Sequence, residues 1–162
     1  MKMGVISDTH LKEPNPEFRK QIEHHFKDVE MILHLGDFVG LRIAEYLSSE
    51  KELVAVCGNM DSLEIRNSFP EKNVIERAGF KMGLIHGWGS PFGIESRIMH
   101  EFNDVDIIVY GHTHVPASHH EDNIYFFNPG SFAGSFIHKT TLGILYLDDK
   151  IEGEIIKIKG NV

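Results

Sequence analysis

Polar side chains follow five short apolar runs of this sequence, and each group includes residues that can bind a metal ion. The groups are Ser7-Asp8-Thr9-His10, Gly36-Asp37, Gly58-Asn59-Met60-Asp61, His86-Gly87 and Gly111-His112-Thr113-His114. Carboxylate, imidazole and amide groups together suit Mn²⁺, Fe²⁺, Co²⁺, Ni²⁺ or Zn²⁺ better than Mg²⁺ or Ca²⁺, which prefer oxygen ligands only. The candidate ligands are Asp8, His10, Asp37, Asn59, His86, His112 and His114. They are too many for one four-coordinate zinc, whereas two ions that share a bridging carboxylate would use all of them.

The first half of the chain alternates between apolar strands and amphipathic helices. Asn15 is expected to cap the first helix, with Pro16 at its first position. In open α/β sheets, ligands bind at the carboxyl ends of the strands, so the five polar groups are expected to meet at one rim. The pattern predicts strands at 2–7, 31–35 and 53–57 and helices at 16–28 and 40–49.

The second half is richer in strands and favours antiparallel pairing. Ala78-Gly79 predicts the turn of a hairpin, and Ile94, Ile98 and Phe102 have helical spacing. The predicted strands are 74–77, 81–86, 106–110, 124–127, 141–147 and 154–159. No linker or repeat interrupts the sequence, so residues 1–162 are predicted to form a single α/β domain.

Spacing within the strand ends leads to a second expectation. Residues i and i+2 of an extended segment point to the same side, so Asp8 and His10 should converge, as should His112 and His114. His34 precedes the Gly36-Asp37 turn and is a candidate for a hydrogen bond behind a ligand. In contrast, His119 and His120 are expected in a solvated polar loop.

Composition excludes several classes of protein. The chain has 24 acidic and 16 basic side chains, a formal net charge of -8, and no block of Lys or Arg, which argues against strong nucleic-acid binding. The single Cys57 cannot form an internal disulfide, and no apolar stretch approaches the roughly 18 residues of a membrane span. We therefore expect a cytoplasmic protein without a membrane partner. The sequence leaves open whether the protein is a homo-oligomer.

The five groups, in this order, resemble the signature of the calcineurin-like metallophosphoesterase superfamily. That signature is D-x-H, G-D, G-N-x-[DE], a lone His and G-H-x-H, and every part is present between residues 8 and 114. The segment 128–131 also matches the one that follows in small members, and the compact length is similar to that of the YfcE-like phosphodiesterases. The resemblance implies a two-sheet sandwich flanked by helices, with mixed parallel and antiparallel strands.

The resemblance also implies a dinuclear centre that hydrolyses small phosphodiesters. A hydroxide that bridges two divalent ions would attack phosphorus, and Asn59 would act in catalysis because its amide NH₂ is free to donate toward substrate. Mn²⁺ is the expected ion, with Ni²⁺, Co²⁺, Fe²⁺ and Zn²⁺ as alternatives. By the resemblance, one ion would be held by Asp8, His10 and His114, the other by Asn59, His86 and His112, and Asp37 would bridge them.

One position departs from the larger phosphatases of this superfamily. Their signature reads G-N-H-[DE], with a His that assists the leaving group, whereas this chain has Met60. A thioether cannot donate a proton, so diesters with good leaving groups are expected to be better substrates than monoesters. The alternative function is a non-catalytic metal-binding scaffold of the retromer-subunit type, because a fold alone does not determine function.

Overall fold

Two five-stranded sheets form the centre of the computed structural model, which describes residues 1–134 and 139–158. The elements in chain order are β1 (Lys2–Ile6), α1 (Pro16–His25), β2 (Met31–Leu35), α2 (Leu41–Glu50), β3 (Glu52–Val56), α3 (Leu63–Ser68), β4 (Lys72–Arg77), β5 (Phe80–Ile85), α4 (Ile94–Ile98), a 3₁₀ turn (Met99–Glu101), β6 (Ile107–Tyr110), β7 (Ala117–Glu121), β8 (Ile124–Asn128), β9 (Thr141–Leu147) and β10 (Ile151–Lys157). Among the described residues, no helix is long and apolar enough to cross a membrane.

Each sheet combines three strands that pair in parallel with two strands that are joined by antiparallel pairing. The first sheet has the order β10-β9-β1-β2-β3, with β1, β2 and β3 parallel. The second has the order β4-β5-β6-β8-β7, with β5, β6 and β8 parallel and the antiparallel strands at its edges. Each sheet therefore presents the carboxyl ends of three parallel strands at one end.

Alternation of side chains along these strands builds three apolar layers. On β6, Ile107 and Val109 join the core between the sheets, whereas Ile108 and Tyr110 pack with α4. On β2, Ile32 lies in the layer that includes α1, α2 and α3. The molecule is therefore a helix–sheet–sheet–helix sandwich, which confirms the predicted two-sheet α/β fold with mixed strand directions.

Helix α1 begins as its cap predicts and ends earlier than its apolar spacing predicts. The Asn15 side chain accepts the backbone N–H of Phe18 at 2.8 Å, and Pro16 takes the first helical position. The helix stops at His25 rather than near residue 28. The chain turns there, and Val29 is buried in the apolar layer that includes α1, α2 and α3. The helical spacing does not predict this placement.

Two short elements lie where the sequence pattern predicts none. Helix α3 has six residues and buries only Ile65, so it is too short to show a helical period. Strand β7 is an exposed edge strand with almost no buried face, and its apolar pattern is correspondingly absent. The expectation that His119 and His120 lie in a loop is wrong, because both belong to β7 and are exposed there.

Other boundaries shift by a few residues. The helix predicted from Ile94 to Phe102 divides into α4 and the 3₁₀ turn. The last strand begins at Ile151, earlier than predicted, and the predicted end at Lys159 lies outside the described residues.

Cys57 is buried, and burial raises the pKa of its thiol. The cytoplasmic location and the single-domain boundary stay predictions.

Phe127 fills the space between the sheets where two glycines face it. The ring stands on β8 and is fully buried. A Cβ atom at Gly143 on β9, or at Gly153 on β10, would overlap that ring. The two glycines therefore form a recess in the first sheet that receives one large side chain of the second.

Removal of the Phe127 ring tests this packing between the sheets. Phe127→Ala is expected to lower the free energy of unfolding by about 3–5 kcal/mol, because it leaves a cavity between two rigid sheets. Phe92 is 90% exposed and gives the matched control. Phe92→Ala should change that free energy by less than about 0.5 kcal/mol. Urea denaturation measures both, and equal stability of the two variants would contradict the packing role.

Candidate metal centre

The loops after five strands meet between the carboxyl ends of the two sheets. The first sheet contributes the loops after β1, β2 and β3, and the second contributes those after β5 and β6. The predicted single rim is therefore a junction of two rims. The structure brings all of the candidate ligands to it: Asp8, His10, Asp37, Asn59, His86, His112 and His114.

The Asp8 carboxylate is fully buried and faces two imidazoles. Its Oδ1 atom lies 3.0 Å from Nε2 of His114 and 3.9 Å from Nε2 of His10. Its Oδ2 atom accepts hydrogen bonds from the Ser7 hydroxyl at 2.6 Å and from the backbone N–H of His112 at 3.2 Å. The contact with Asp8 raises the pKa of His114 and outweighs the opposing effect of burial.

The Asp37 carboxylate lies between two histidines that come from different sheets. Its Oδ2 atom is 3.9 Å from Nε2 of His10 and 3.4 Å from Nε2 of His86. Its Oδ1 atom accepts the backbone N–H of Met60 at 2.8 Å. Burial opposes ionisation of Asp37, but His86, this N–H and His10 together lower its pKa, so the side chain is an anion at neutral pH.

His86 is held so that one nitrogen faces the centre. Its Nδ1 atom lies 2.5 Å from the carbonyl oxygen of Leu35 and donates to it, which in the neutral ring leaves the lone pair on Nε2. Burial disfavours protonation of this ring, but the nearby carboxylates of Asp37 and Asp8 outweigh burial and raise its pKa. An acceptor nitrogen beside two anions is a favourable position for either a proton or a metal cation.

An acceptor atom of His112 faces an acceptor atom of Asn59. The Nε2 atom of His112 donates to the carbonyl oxygen of Gly89 at 2.8 Å. The neutral ring therefore carries a lone pair on Nδ1, which lies 3.0 Å from Oδ1 of Asn59. Two acceptors at this distance repel each other unless a proton or a cation lies between them.

The donor set fits divalent cations. Within the described residues, Asp8 Oδ1 and His86 Nε2 are buried and have no hydrogen-bond partner. Buried polar atoms without partners are costly unless a ligand satisfies them. At this centre, two sets of three residues each bring one ligand atom per residue within 4.8 Å of one another: Asp8, His10 and His114, and Asp8, Asp37 and His86.

The predicted reason for the convergence of Asp8 with His10, and of His112 with His114, is wrong. These residues are not extended, because all four have positive φ angles between 48° and 67°. Asp37 has a positive φ of 58° as well. Left-handed turns therefore aim these side chains inward, and Asp and His are among the residues that tolerate such turns.

Two glycines allow the loops to approach the carboxylates. A Cβ atom at Gly58 would overlap Oδ1 of Asp37, and one at Gly111 would overlap the Ser7 hydroxyl. Neither position has a positive φ, so these glycines are needed for space and not for a turn.

Asp61 positions two site loops, a role that the sequence analysis did not assign. Its buried carboxylate accepts the backbone N–H groups of Asp37 at 3.0 Å, Val39 at 2.9 Å and Gly58 at 2.7 Å. Arg66 on α3 donates to the carbonyl oxygens of Asp61 and of Asn59, at 3.0 and 2.9 Å. The acidic position of G-N-x-[DE] marks Asp61 in the sequence, whereas no motif in the sequence marks Arg66.

The segment after β8 joins the loops of the two sheets. Asn128 donates to the carbonyl oxygen of Gly111 at 2.9 Å, and Ser131 donates to the carbonyl oxygen of Asp8 at 3.2 Å. The family resemblance included the segment 128–131 but implied no role for it. Its side chains hold the Asp8 loop of one sheet against the His112 loop of the other.

His34 makes the expected hydrogen bonds behind a candidate ligand. Its Nδ1 atom accepts the backbone N–H of Gly36 at 3.2 Å, and its Nε2 atom lies 3.3 Å from the Thr9 hydroxyl. Complete burial holds the pKa of His34 well below its usual value, so the ring is neutral. It supports the turn that leads into Asp37.

Comparisons with known proteins agree with this geometry. A probable metallophosphoesterase of Methanocaldococcus jannaschii is 33% identical, over 98% of this chain and 82% of its own length. A phosphodiesterase of the same organism is 32% identical, over 96% of this chain and 99% of its own. The solved structure of an archaeal phosphodiesterase is 27% identical and superposes with a TM-score of 0.80, covering 98% of this chain and 100% of that one.

Proteins described differently share the fold as well. Zinc-bound Vps29 from Entamoeba histolytica is 24% identical with a TM-score of 0.71, covering 97% of this chain and 99% of that one, which shows the fold alone. The model of the calcineurin-like phosphoesterase superfamily domain matches residues 1–150. Since that match includes every strand end that meets at the centre, this chain belongs to the calcineurin-like phosphoesterase superfamily.

Proposed function

We propose that the protein is a phosphodiesterase that uses two divalent cations. The observation that carries the proposal is the position of Asp37, whose carboxylate faces His10 on one side and His86 on the other, at 3.9 and 3.4 Å. Mn²⁺ is the expected ion, with Ni²⁺, Co²⁺, Fe²⁺ and Zn²⁺ as alternatives. Asp8, His10 and His114 would hold one ion, Asn59, His86 and His112 the other, and Asp37 would bridge them.

Some residues of the centre would bind the cations, and others would orient the substrate. When bound, the cations supply a water of lowered pKa as nucleophile and neutralise the phosphoryl oxygens. Asn59 turns its Oδ1 toward His112, so its amide NH₂ can donate to a phosphoryl oxygen. Asp61 and Asn128 fix the loops, which keeps these groups in place before the substrate arrives.

The side chain beside Asn59 determines which esters are favoured. Met60 is 60% exposed and has no proton to donate to a departing oxygen. Leaving groups that are stable as anions need no such donor, so activated diesters are expected to react faster than alkyl monoesters. The acidic net charge of -8 favours a small diester over a long polynucleotide.

The alternative function is a non-catalytic metal-binding scaffold of the retromer-subunit type. The likeness to Vps29 supports the same fold for it and no more. Catalysis is favoured because donor side chains lie close together at the centre: Asp8, His10 and His114 form one set, Asp8, Asp37 and His86 another, and Asn59 faces His112. An assay of metal-dependent hydrolysis separates the two.

Removal and return of metal tests the proposed function directly. Hydrolysis of bis(p-nitrophenyl) phosphate is expected to stop after chelation and dialysis, and to return with Mn²⁺ at two ions bound per chain. Glycerol 2-phosphate, an alkyl monoester whose leaving group needs a proton, should be hydrolysed more slowly. Parallel reconstitution with Zn²⁺, Ni²⁺, Co²⁺ and Fe²⁺ ranks the ions. Metal binding without hydrolysis of either ester would favour the scaffold.

Asp37→Asn tests the bridging position. Asn has the same shape as Asp and tolerates the left-handed backbone, but the substitution removes the negative charge that faces His10 and His86. We expect kcat to fall at least about 100-fold, since metal ions stabilise the transition state by several kcal/mol, and the stoichiometry to fall below two ions. Asp149→Asn, at an exposed carboxylate, is the matched control. Activity near that of the wild type in Asp37→Asn would contradict the assignment.

Asp61→Asn tests positioning by a residue that contacts no substrate. Its NH₂ group would face backbone N–H groups that the carboxylate now accepts, so the loops of Asp37 and Asn59 should shift. We expect a loss of roughly 10- to 100-fold in kcat/KM and in Mn²⁺ affinity, measured by steady-state kinetics and calorimetry. Asp106, which accepts the N–H of Lys81 at the far end of β6, is the control. An equal loss in Asp106→Asn would show a general effect on folding instead.

A further inference from the structure

Exposed apolar side chains stand on the same segments of the chain that carry the polar centre. Six large apolar side chains are exposed in the described part of the chain, and five stand on the segments that follow the strands of the site. We call these five the apolar rim: Met60, Leu63, Trp88, Phe92 and Val115. Single exposed apolar residues need no explanation, but several of them on the segments of one site make contact with a ligand or partner a hypothesis to test.

Trp88 is the rim residue with the clearest position next to the centre. It lines a cleft of about 430 Å³ together with His86 and Asn59. Sites for small molecules are commonly ~300–1,000 Å³. Trp88 is 44% exposed, so it is partly packed against the protein and partly open to a ligand.

The backbone on which Trp88 stands is fixed to the protein and to the centre. The Arg97 guanidinium donates to the carbonyl oxygens of Trp88 at 3.2 Å and Phe92 at 3.0 Å, and it also contacts that of Ser90. The carbonyl of Gly89, the next residue, accepts from His112 at 2.8 Å. The backbone that carries Trp88 is therefore fixed relative to the candidate ligands in advance, which reduces the backbone entropy that binding must remove.

The charged residues of the cleft are already engaged with protein atoms. Lys72 pairs with Glu101 at 2.8 Å, and Arg66 donates to backbone carbonyl oxygens. Glu71 adds a negative charge to the same wall. A wall of mixed and paired charges gives little attraction to a second phosphate or carboxylate on the substrate, whereas an open indole gives a flat surface for an aromatic ring.

We propose that Trp88 stacks on a planar aromatic substituent of the phosphodiester, so that the preferred substrates carry an aryl or nucleobase group. The inference rests on the proposed function for the identity of the centre, and it adds the chemical class of the ester group beside it. Trp88 is then a specificity-determining residue. Stacking of a base on an aromatic side chain is commonly worth roughly 5- to 150-fold in affinity.

A series of diesters with one leaving group tests this preference. The p-nitrophenyl diesters of methanol, cyclohexanol, phenol and thymidine (through its 5′-hydroxyl) differ only in the retained group. In the wild type, the phenyl and thymidine esters should have higher kcat/KM values than the methyl and cyclohexyl esters. Trp88→Ala should reduce the phenyl-to-methyl ratio roughly tenfold. Trp88→Phe should retain most of the ratio, and Val74→Ala, at the exposed apolar residue outside the rim, should leave it unchanged.

Fluorescence gives a readout that does not depend on turnover. Trp88 is the single tryptophan of the chain, so tryptophan emission reports on this residue alone. Adenosine 5′-monophosphate should quench its emission in a saturable manner in the metal-loaded protein. Ribose 5-phosphate, which has the same phosphate without the base, should not. This pair separates recognition of the ring from recognition of the phosphate.

The outcomes separate the two proposals. Hydrolysis with the same phenyl-to-methyl ratio in wild type and Trp88→Ala, without selective quenching, would overturn the stacking role alone. A cyclohexyl ester as good as the phenyl ester would overturn it too, since that result needs only an apolar surface. Selective quenching without hydrolysis of any ester would overturn the phosphodiesterase and support the aromatic site.

Discussion

The structure depends on two carboxylates, Asp8 and Asp37, that are buried where the two sheets meet. A buried anion is costly unless hydrogen bonds or opposite charges compensate it. One oxygen of each accepts hydrogen bonds from its own loop or a neighbouring one, and the other faces histidines. The partly satisfied anions make the junction a place where cations are favoured, and the surrounding loops serve to hold them in that state.

This requirement explains features that local stability alone does not favour. Left-handed backbone at Asp8 and Asp37 costs energy, and glycine at positions 58 and 111 gives up side-chain packing. Apolar layers on both faces of each sheet offset such costs and hold the strand ends rigid. The carboxylate of Asp61 and the amide of Asn128 then transmit this rigidity to the loops through hydrogen bonds.

What could be predicted from the sequence follows from the range of each interaction. The cap at Asn15 and the apolar runs of the strands act locally, so most of the elements, though not α3 or β7, and the grouping of ligand types were predictable. The direction in which His10 or His114 points depends on a left-handed turn that packing imposes, and spacing alone led to the wrong reason. Arg66 was not predictable, because its task appears only once α3 packs beside the Asn59 loop.

The same loops that complete the polar centre also carry its apolar surroundings. Met60 follows Asn59 directly, and Trp88 lies two residues after His86. A site without a proton donor at Met60 must gain rate in another way, and contacts with the retained part of the substrate can contribute if they strengthen in the transition state. The proposed stacking on Trp88 would provide such contacts. The absence of an acid at Met60 and the presence of the apolar rim are thus compatible with the proposed site, which would suit diesters whose ester groups supply both a stable leaving group and binding surface.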